Sequence, residues 1–162
     1  MQNLKEREQV IEYSKKLNTT NLSPLRSGNI SVRGTQDGIE GFFITPSGKK
    51  YETLKLEDIV FLSLNEEKDF LSWFNSGKNP SSEWRFHQDI YKNKWEAKAI
   101  VHAHSPNATA VSTHGKAVPS FHYMVALAGG EDIRCSEYAT FGTNELSTNI
   151  VKALANRKAC LM

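Results

Sequence analysis

Two short apolar-rich runs, Asn29-Ile30-Ser31-Val32 and Gly41-Phe42-Phe43-Ile44, flank the turn signal Gln36-Asp37-Gly38, and together they predict a β-hairpin. The hairpin constrains everything around it, because paired strands with an apolar side need something to cover them. Suitable covers are at hand. Leu4, Val10, Ile11 and Leu17 recur at helical spacing in the opening segment. Asn79-Pro80-Ser81-Ser82-Glu83 reads as a helix start, with a serine able to cap and a carboxylate at the positive end of the dipole. Trp84, Ile90 and Tyr91 give that helix an apolar side. Val60 to Leu64 and Ala99 to Ala103 read as further strands, and Ser105-Pro106 as another helix start with proline at its favoured first position. Beyond these, a helix over Tyr123 to Ala128 ends at Gly129-Gly130, and Thr143 opens a helix with Leu146, Ile150, Val151 and Leu154 on its apolar face. Lys158 to Met162 reads as a buried strand. Interleaved strands and helices predict an α/β fold in which a sheet is covered by helices.

The 162 residues suit one domain with one sizeable core. A net charge of +2 is too small to indicate a nucleic-acid partner. No apolar run approaches the roughly 20 residues of a membrane span, and the charged opening MQNLKEREQVIEYSKKL lacks a signal-peptide core. Cys135 and Cys160 have no metal-ligand spacing and read as free thiols, which fits a reducing cytoplasmic compartment.

The sharpest chemical feature is His102-Ala103-His104. On a strand, alternate residues share a face, so the two imidazoles stand side by side as a divalent metal requires. A surface or core pair of histidines is the competing reading. Glu83 is either a carboxylate stabilising a helix start or an acid–base group beside a metal. The serines before it, Asn29 after Gly28, and the Thr45-Pro46-Ser47-Gly48 turn could converge on an anion. His87, four residues beyond Glu83 on the same helical face, is a metal-binding partner of Glu83, half of a helix-surface pair, or a histidine hydrogen-bonded under the sheet, the last two being the commoner cases. His114 reads as a solvated loop residue and His122 as a structural support. Trp73, Phe74, Trp84 and Trp95 read as core or interface aromatics.

Taken together, several runs resemble the class II aldolase/adducin family in order and spacing along nearly the whole chain. They are Gly28-Asn29-Ile30-Ser31-Val32-Arg33, Ile44-Thr45-Pro46-Ser47-Gly48, Pro80-Ser81-Ser82-Glu83-Trp84-Arg85-Phe86-His87, Val101-His102-Ala103-His104, His122-Tyr123-Met124, Ala128-Gly129-Gly130 and Tyr138-Ala139-Thr140-Phe141-Gly142-Thr143. Ser-Ser-Glu-Trp-Arg-Phe-His and His-Tyr-Met come nearest to the branch acting on L-fuculose 1-phosphate.

The resemblance implies a three-layer α/β/α fold with a central, mainly antiparallel sheet, and a single domain over residues 1–162. It implies His102 and His104 as ligands of one zinc or other divalent ion per subunit, with Glu83 as resting-state ligand and acid–base group. It implies Gly28, Asn29, Thr45, Ser81 and Ser82 at the substrate phosphate, Tyr123 as a catalytic tyrosine contributed by a neighbouring subunit, and Phe141 at the aldehyde end. The implied activity is reversible cleavage of a ketose 1-phosphate to dihydroxyacetone phosphate and a short aldehyde such as lactaldehyde, in a homotetramer with sites between subunits. Family members that epimerise, dehydrate or decarboxylate sugar phosphates form one alternative, though glutamate at position 83 favours an aldolase over the epimerase. An adducin-like interaction module is the other. The family's third metal histidine follows the strand matching Lys158 to Met162, so the sequence is expected to be a piece of a longer protein.

Overall fold

The alternation of side chains along β1 (Asn29–Gln36) organises the architecture. In the computed structural model, which describes residues 3–24, 27–65, 67, 73, 75 and 77–162, Ile30 and Val32 face one way and Asn29 and Ser31 the other. β1 pairs antiparallel with β2 (Ile39–Ile44), with Ser31 opposite Ile44 and Gln36 opposite Ile39. The turn between them places Asp37 at φ 52° and Gly38 at φ 78°, the left-handed pair that a two-residue hairpin with native twist needs. β3 (Val60–Ser63) extends the sheet beyond β2, and β4 (Ala99–His102) closes the other side against β1. The order is β3-β2-β1-β4, antiparallel throughout.

Helices cover both faces of this sheet. α1 (Leu4–Thr19) lays Val10 and Leu17 against Ile30, Phe43, Tyr51, Leu54 and Ile59. α2 (Trp84–Asn93) brings Trp84 and Tyr91 to Phe42, Ile44, Val60, Leu62 and Trp73 on the opposite face. Adjacent β2 residues thus feed different layers, Phe42 towards α2 and Phe43 towards α1. Each fully buried aromatic of this kind contributes about 1.5–3 kcal/mol through removal of apolar surface from water. The result is a three-layer α/β/α arrangement.

The chain forms two compact units, Met1–His104 and Ser105–Met162. The second contains α3 (Pro106–Ser112), a 3-10 segment (Tyr123–Ala128) that stops at Gly129 with φ 94°, and α4 (Asn144–Ala153). Thr143 caps α4, its hydroxyl accepting from the Leu146 N–H at 3.2 Å. Of the four residues expected on its apolar face, Leu146, Ile150 and Leu154 are buried and Val151 is half-buried.

One expectation needs correction. Lys158 to Met162 is not a buried strand: Leu161 makes a single bridge to Cys135, and no residue of the segment is buried. Within its unit the segment finds one neighbour on one side, which gives a bridge and no ladder. Of the aromatics expected in a core or an interface, Trp73 and Trp84 are core and pack edge to face, while the 80% exposure of Trp95 removes the core reading and leaves the interface one; Phe74 lies outside the described residues. No helix among the described residues is long and apolar enough to cross a membrane.

Candidate metal and phosphate site

The first unit gathers its polar candidates at one end of the sheet. Asn29 opens β1 directly opposite His102, the last residue of β4. Opposed residues share a face, so their side chains meet on the side covered by α2. Gly28 permits this approach, since a Cβ there would stand 2.4 Å from the His102 carbonyl oxygen and 2.6 Å from Ser23 Oγ. α2 then supplies Glu83. The sequence placed this residue inside the first helical turn; it is the N-cap itself, and its side chain makes no capping bond. Instead its carboxylate accepts from Asn29 Nδ2 at 2.8 Å and lies 3.3 Å from His102 Nε2. Ser81 supplies an oxygen to the helix start, accepting from the Glu83 N–H at 3.3 Å.

His104 follows two residues after His102, and its Nε2 lies 2.8 Å from that of His102. Glu83 and His104 thus each contact His102 Nε2. Burial and the neighbouring His104 push the pKa of His102 down to about 4, and burial lowers that of His104 as well. Neutral imidazoles keep the lone pairs a metal needs, and the Glu83–His102 contact is accordingly no ion pair at pH 7. Burial raises the carboxyl pKa of Glu83, with the Asn29 hydrogen bond working the other way. Among the described residues, no three His, Cys, Asp or Glu side chains already surround a common point. The donor types suit a divalent ion, and the 3.3 Å between Glu83 and His102 is close to the about 3.4 Å that separates ligands about 2.1 Å from a tetrahedral centre, whereas the 2.8 Å between the two imidazole nitrogens is shorter.

Beside Glu83 opens a cleft of about 240 Å³. All five residues expected at a phosphate line it, namely Gly28, Asn29, Thr45, Ser81 and Ser82, together with Ser47, Gly48, Lys49 and Tyr51. Two backbone links hold its walls together: the Ser47 N–H donates to Asn79 O and the Ser81 N–H to Thr45 O, each at 2.9 Å. The Thr45 hydroxyl is buried and accepts from the Ile30 N–H at 3.3 Å. Sequence reasoning passed over Lys49 and Tyr51. Lys49 follows the Thr45–Gly48 turn directly and pairs with Asp58 at 2.5 Å, and the Tyr51 hydroxyl donates to Gly28 O.

His87 is fully buried, with hydrogen bonds to Ser31 and Asn29, which is the under-sheet reading and not the metal-ligand one. Tyr123 and Phe141 belong to the second unit and are 80% and 68% exposed. His114 is exposed, and His122 caps the 3-10 segment by accepting from the Met124 N–H at 3.2 Å.

The sequence profile of the class II aldolase and adducin N-terminal domain matches residues 8–162. The chain belongs to this family. Among class II aldolase relatives, the chain is 44% identical over 154 residues to the L-fuculose phosphate aldolase of Escherichia coli, covering 95% of this chain and 67% of that protein. It is 42% identical over 153 residues to the 5-methylthioribulose-1-phosphate/5-deoxyribulose-1-phosphate aldolase of Rhodospirillum rubrum, covering 94% of this chain and 65% of that one. The chain thus spans about two thirds of the length of these curated relatives. A solved L-fuculose 1-phosphate aldolase superposes with a TM-score of 0.85 at 36% identity, over 99% of this chain and 72% of that structure.

Proposed function

We propose that this chain carries the metal and phosphate sites of a class II sugar-phosphate aldolase, which reversibly cleaves a ketose 1-phosphate to dihydroxyacetone phosphate and a short aldehyde. The observation that supports this most is the adjacency of Glu83, His102 and His104 to a cleft lined by Gly28, Asn29, Thr45, Ser81 and Ser82. A retro-aldol reaction needs a charge-stabilising centre a fixed distance from an anchored phosphate, and that pairing answers the need.

Glu83, His102 and His104 would hold the ion, zinc being the first choice for this donor set. When bound, a divalent ion supplies Lewis-acid stabilisation of the negative charge left by bond cleavage. The serine hydroxyls and turn backbone hold the phosphate and orient the sugar. Glu83, with its raised pKa, takes and returns the proton at the carbon that leaves as part of dihydroxyacetone phosphate. Tyr123 serves the aldehyde oxygen and Phe141 packs against the aldehyde's apolar end. Their exposure within their own unit is consistent with sites completed in a homotetramer. The sugars named for the two relatives share a terminus without a hydroxyl group, which suits an aromatic such as Phe141. The family profile runs across both compact units, which supports reading them as one domain, and the free thiols of Cys135 and Cys160 suit a cytoplasmic enzyme.

The test is incubation with L-fuculose 1-phosphate, 5-deoxyribulose 1-phosphate and 5-methylthioribulose 1-phosphate in the presence of zinc. Metal-dependent release of dihydroxyacetone phosphate from at least one is the expected result. Epimerisation, dehydration or decarboxylation without that product would replace the aldolase reading by another family chemistry.

A further inference from the structure

We propose that His87 is a positioning residue for Glu83, acting through the side-chain amide of Asn29. The inference rests on the role given to Glu83 above. Its geometry is independent of that role. Asn29 and Ser31 stand two apart on β1 and share a face; His87 and Tyr91 stand four apart on α2 and share another. Where the faces meet, His87 Nε2 is 2.5 Å from Asn29 Oδ1 and His87 Nδ1 is 2.7 Å from Ser31 Oγ. Ser31 Oγ in turn is 2.9 Å from the Tyr91 hydroxyl.

The chain of contacts admits one arrangement of protons when Glu83 is ionised. Asn29 Nδ2 donates to the carboxylate, so Oδ1 is the end that faces His87. Oδ1 only accepts, so Nε2 must carry the ring proton. Nδ1 then offers a lone pair to the Ser31 hydroxyl, and Ser31 accepts from Tyr91. Burial lowers the His87 pKa well below the ordinary value, in keeping with a neutral ring. The ring is also stacked on Phe86, with centroids 4.6 Å apart.

The consequence lies in the symmetry of an amide. Its two ends are nearly equal in shape and opposite in polarity. Rotated by half a turn, Asn29 would present oxygen to the carboxylate and repel it. A fixed Nε2–H donor removes that alternative, because the rotated amide would bring N–H against N–H. His87 thus holds the amide that holds Glu83, from inside the core and without touching substrate.

Two measurements test this. In protein labelled with 15N-histidine, ring-nitrogen NMR should show His87 neutral and in the single Nε2–H form. An Nδ1–H form, or an average of both, overturns the inference. Kinetically, His87→Phe keeps a ring against Phe86 but loses the donor, and should lower kcat about 10- to 100-fold, as loss of a supporting partner does. His87→Gln can still aim an N–H at Asn29 and should restore most of that loss. If both variants lose only folded protein, with kcat per metal-loaded molecule unchanged, the role is structural and the inference fails. Wild-type protein with no aldolase turnover would sink the role of Glu83 instead, while the tautomer measurement would still decide whether His87 orients Asn29.

Discussion

The two compact units treat their polar and aromatic residues in opposite ways. In Met1–His104, polar side chains are buried: His87, Ser31, Asn29 and His102 are all at most 8% exposed, beside the apolar clusters that cover both sheet faces. In Ser105–Met162, large apolar side chains are exposed: Phe121, Tyr123, Leu127, Tyr138 and Phe141 all stand 66% or more in the open. Buried polar groups need hydrogen-bond partners, and Asn29, Ser31 and His87 find theirs within the first unit. Exposed aromatics gain little from burial within their own unit. Their use depends on what they meet, which is why the assigned roles of Tyr123 and Phe141 rest on assembly and those of Glu83 and His102 do not.

The contrast can be broken most forcefully at Glu83. Glu83→Gln should lower retro-aldol turnover about 10²- to 10⁴-fold, the usual range for a lost acid–base group, while circular dichroism and the unfolding midpoint stay near wild type. Next comes packing. Phe42→Ala, in the buried layer under α2, should cost about 3–5 kcal/mol in denaturant unfolding, whereas Tyr138→Ala on the open surface of the second unit should change stability by less than about 0.5 kcal/mol. Comparable losses at both positions would show that the second unit is packed in a way its exposure denies.

A pH experiment sharpens the comparison further. With chelator present, His102 has a folded pKa of about 4 against an ordinary 6.5. The unfolded chain therefore binds more protons between those values, and stability is full above 6.5 and falls as pH drops through the window, by about 3 kcal/mol in all. His87 acts in the same sense. Glu83 acts in the opposite sense, its contribution being present below 4.5 and lost as pH rises through its raised folded value. The net expectation is a protein less stable at pH 5 than at pH 7, with amide exchange in β1 and β4 accelerated more than in α4. Equal acceleration in both units would contradict the assignment to the buried histidines. The smallest effect concerns Tyr123→Phe, which should leave stability unchanged within about 0.5 kcal/mol because the ring is exposed, yet slow turnover if it meets the site in the assembled protein.

What could be read from the sequence follows the range of the interactions. The hairpin was legible because Asp37-Gly38 is a local pair suited to positive φ, and the strand alternation around it is local too. The His102–His104 pair was legible for the same reason. Glu83 reads in the sequence as either a helix-start carboxylate or an acid–base group beside a metal, and only the family resemblance joins it to His102; its hydrogen bond to Asn29, 54 positions away, has no local signal. The Tyr91–Ser31–His87 path was hidden for the same cause, because a buried histidine and an ordinary core histidine differ only in partners brought by the tertiary fold. At Lys158–Met162 the apolar run suggested a strand, but a strand needs neighbours, and the unit provides one bridge.

The most direct measurement is titration of zinc into the chelator-stripped protein, alongside His102→Ala and His104→Ala, followed by calorimetry. The account predicts one ion per chain for the wild type and loss of most of the affinity in each variant, because both rings contribute lone pairs to the same centre. Binding that survives both substitutions unchanged, or a wild type that takes up no ion, would contradict it.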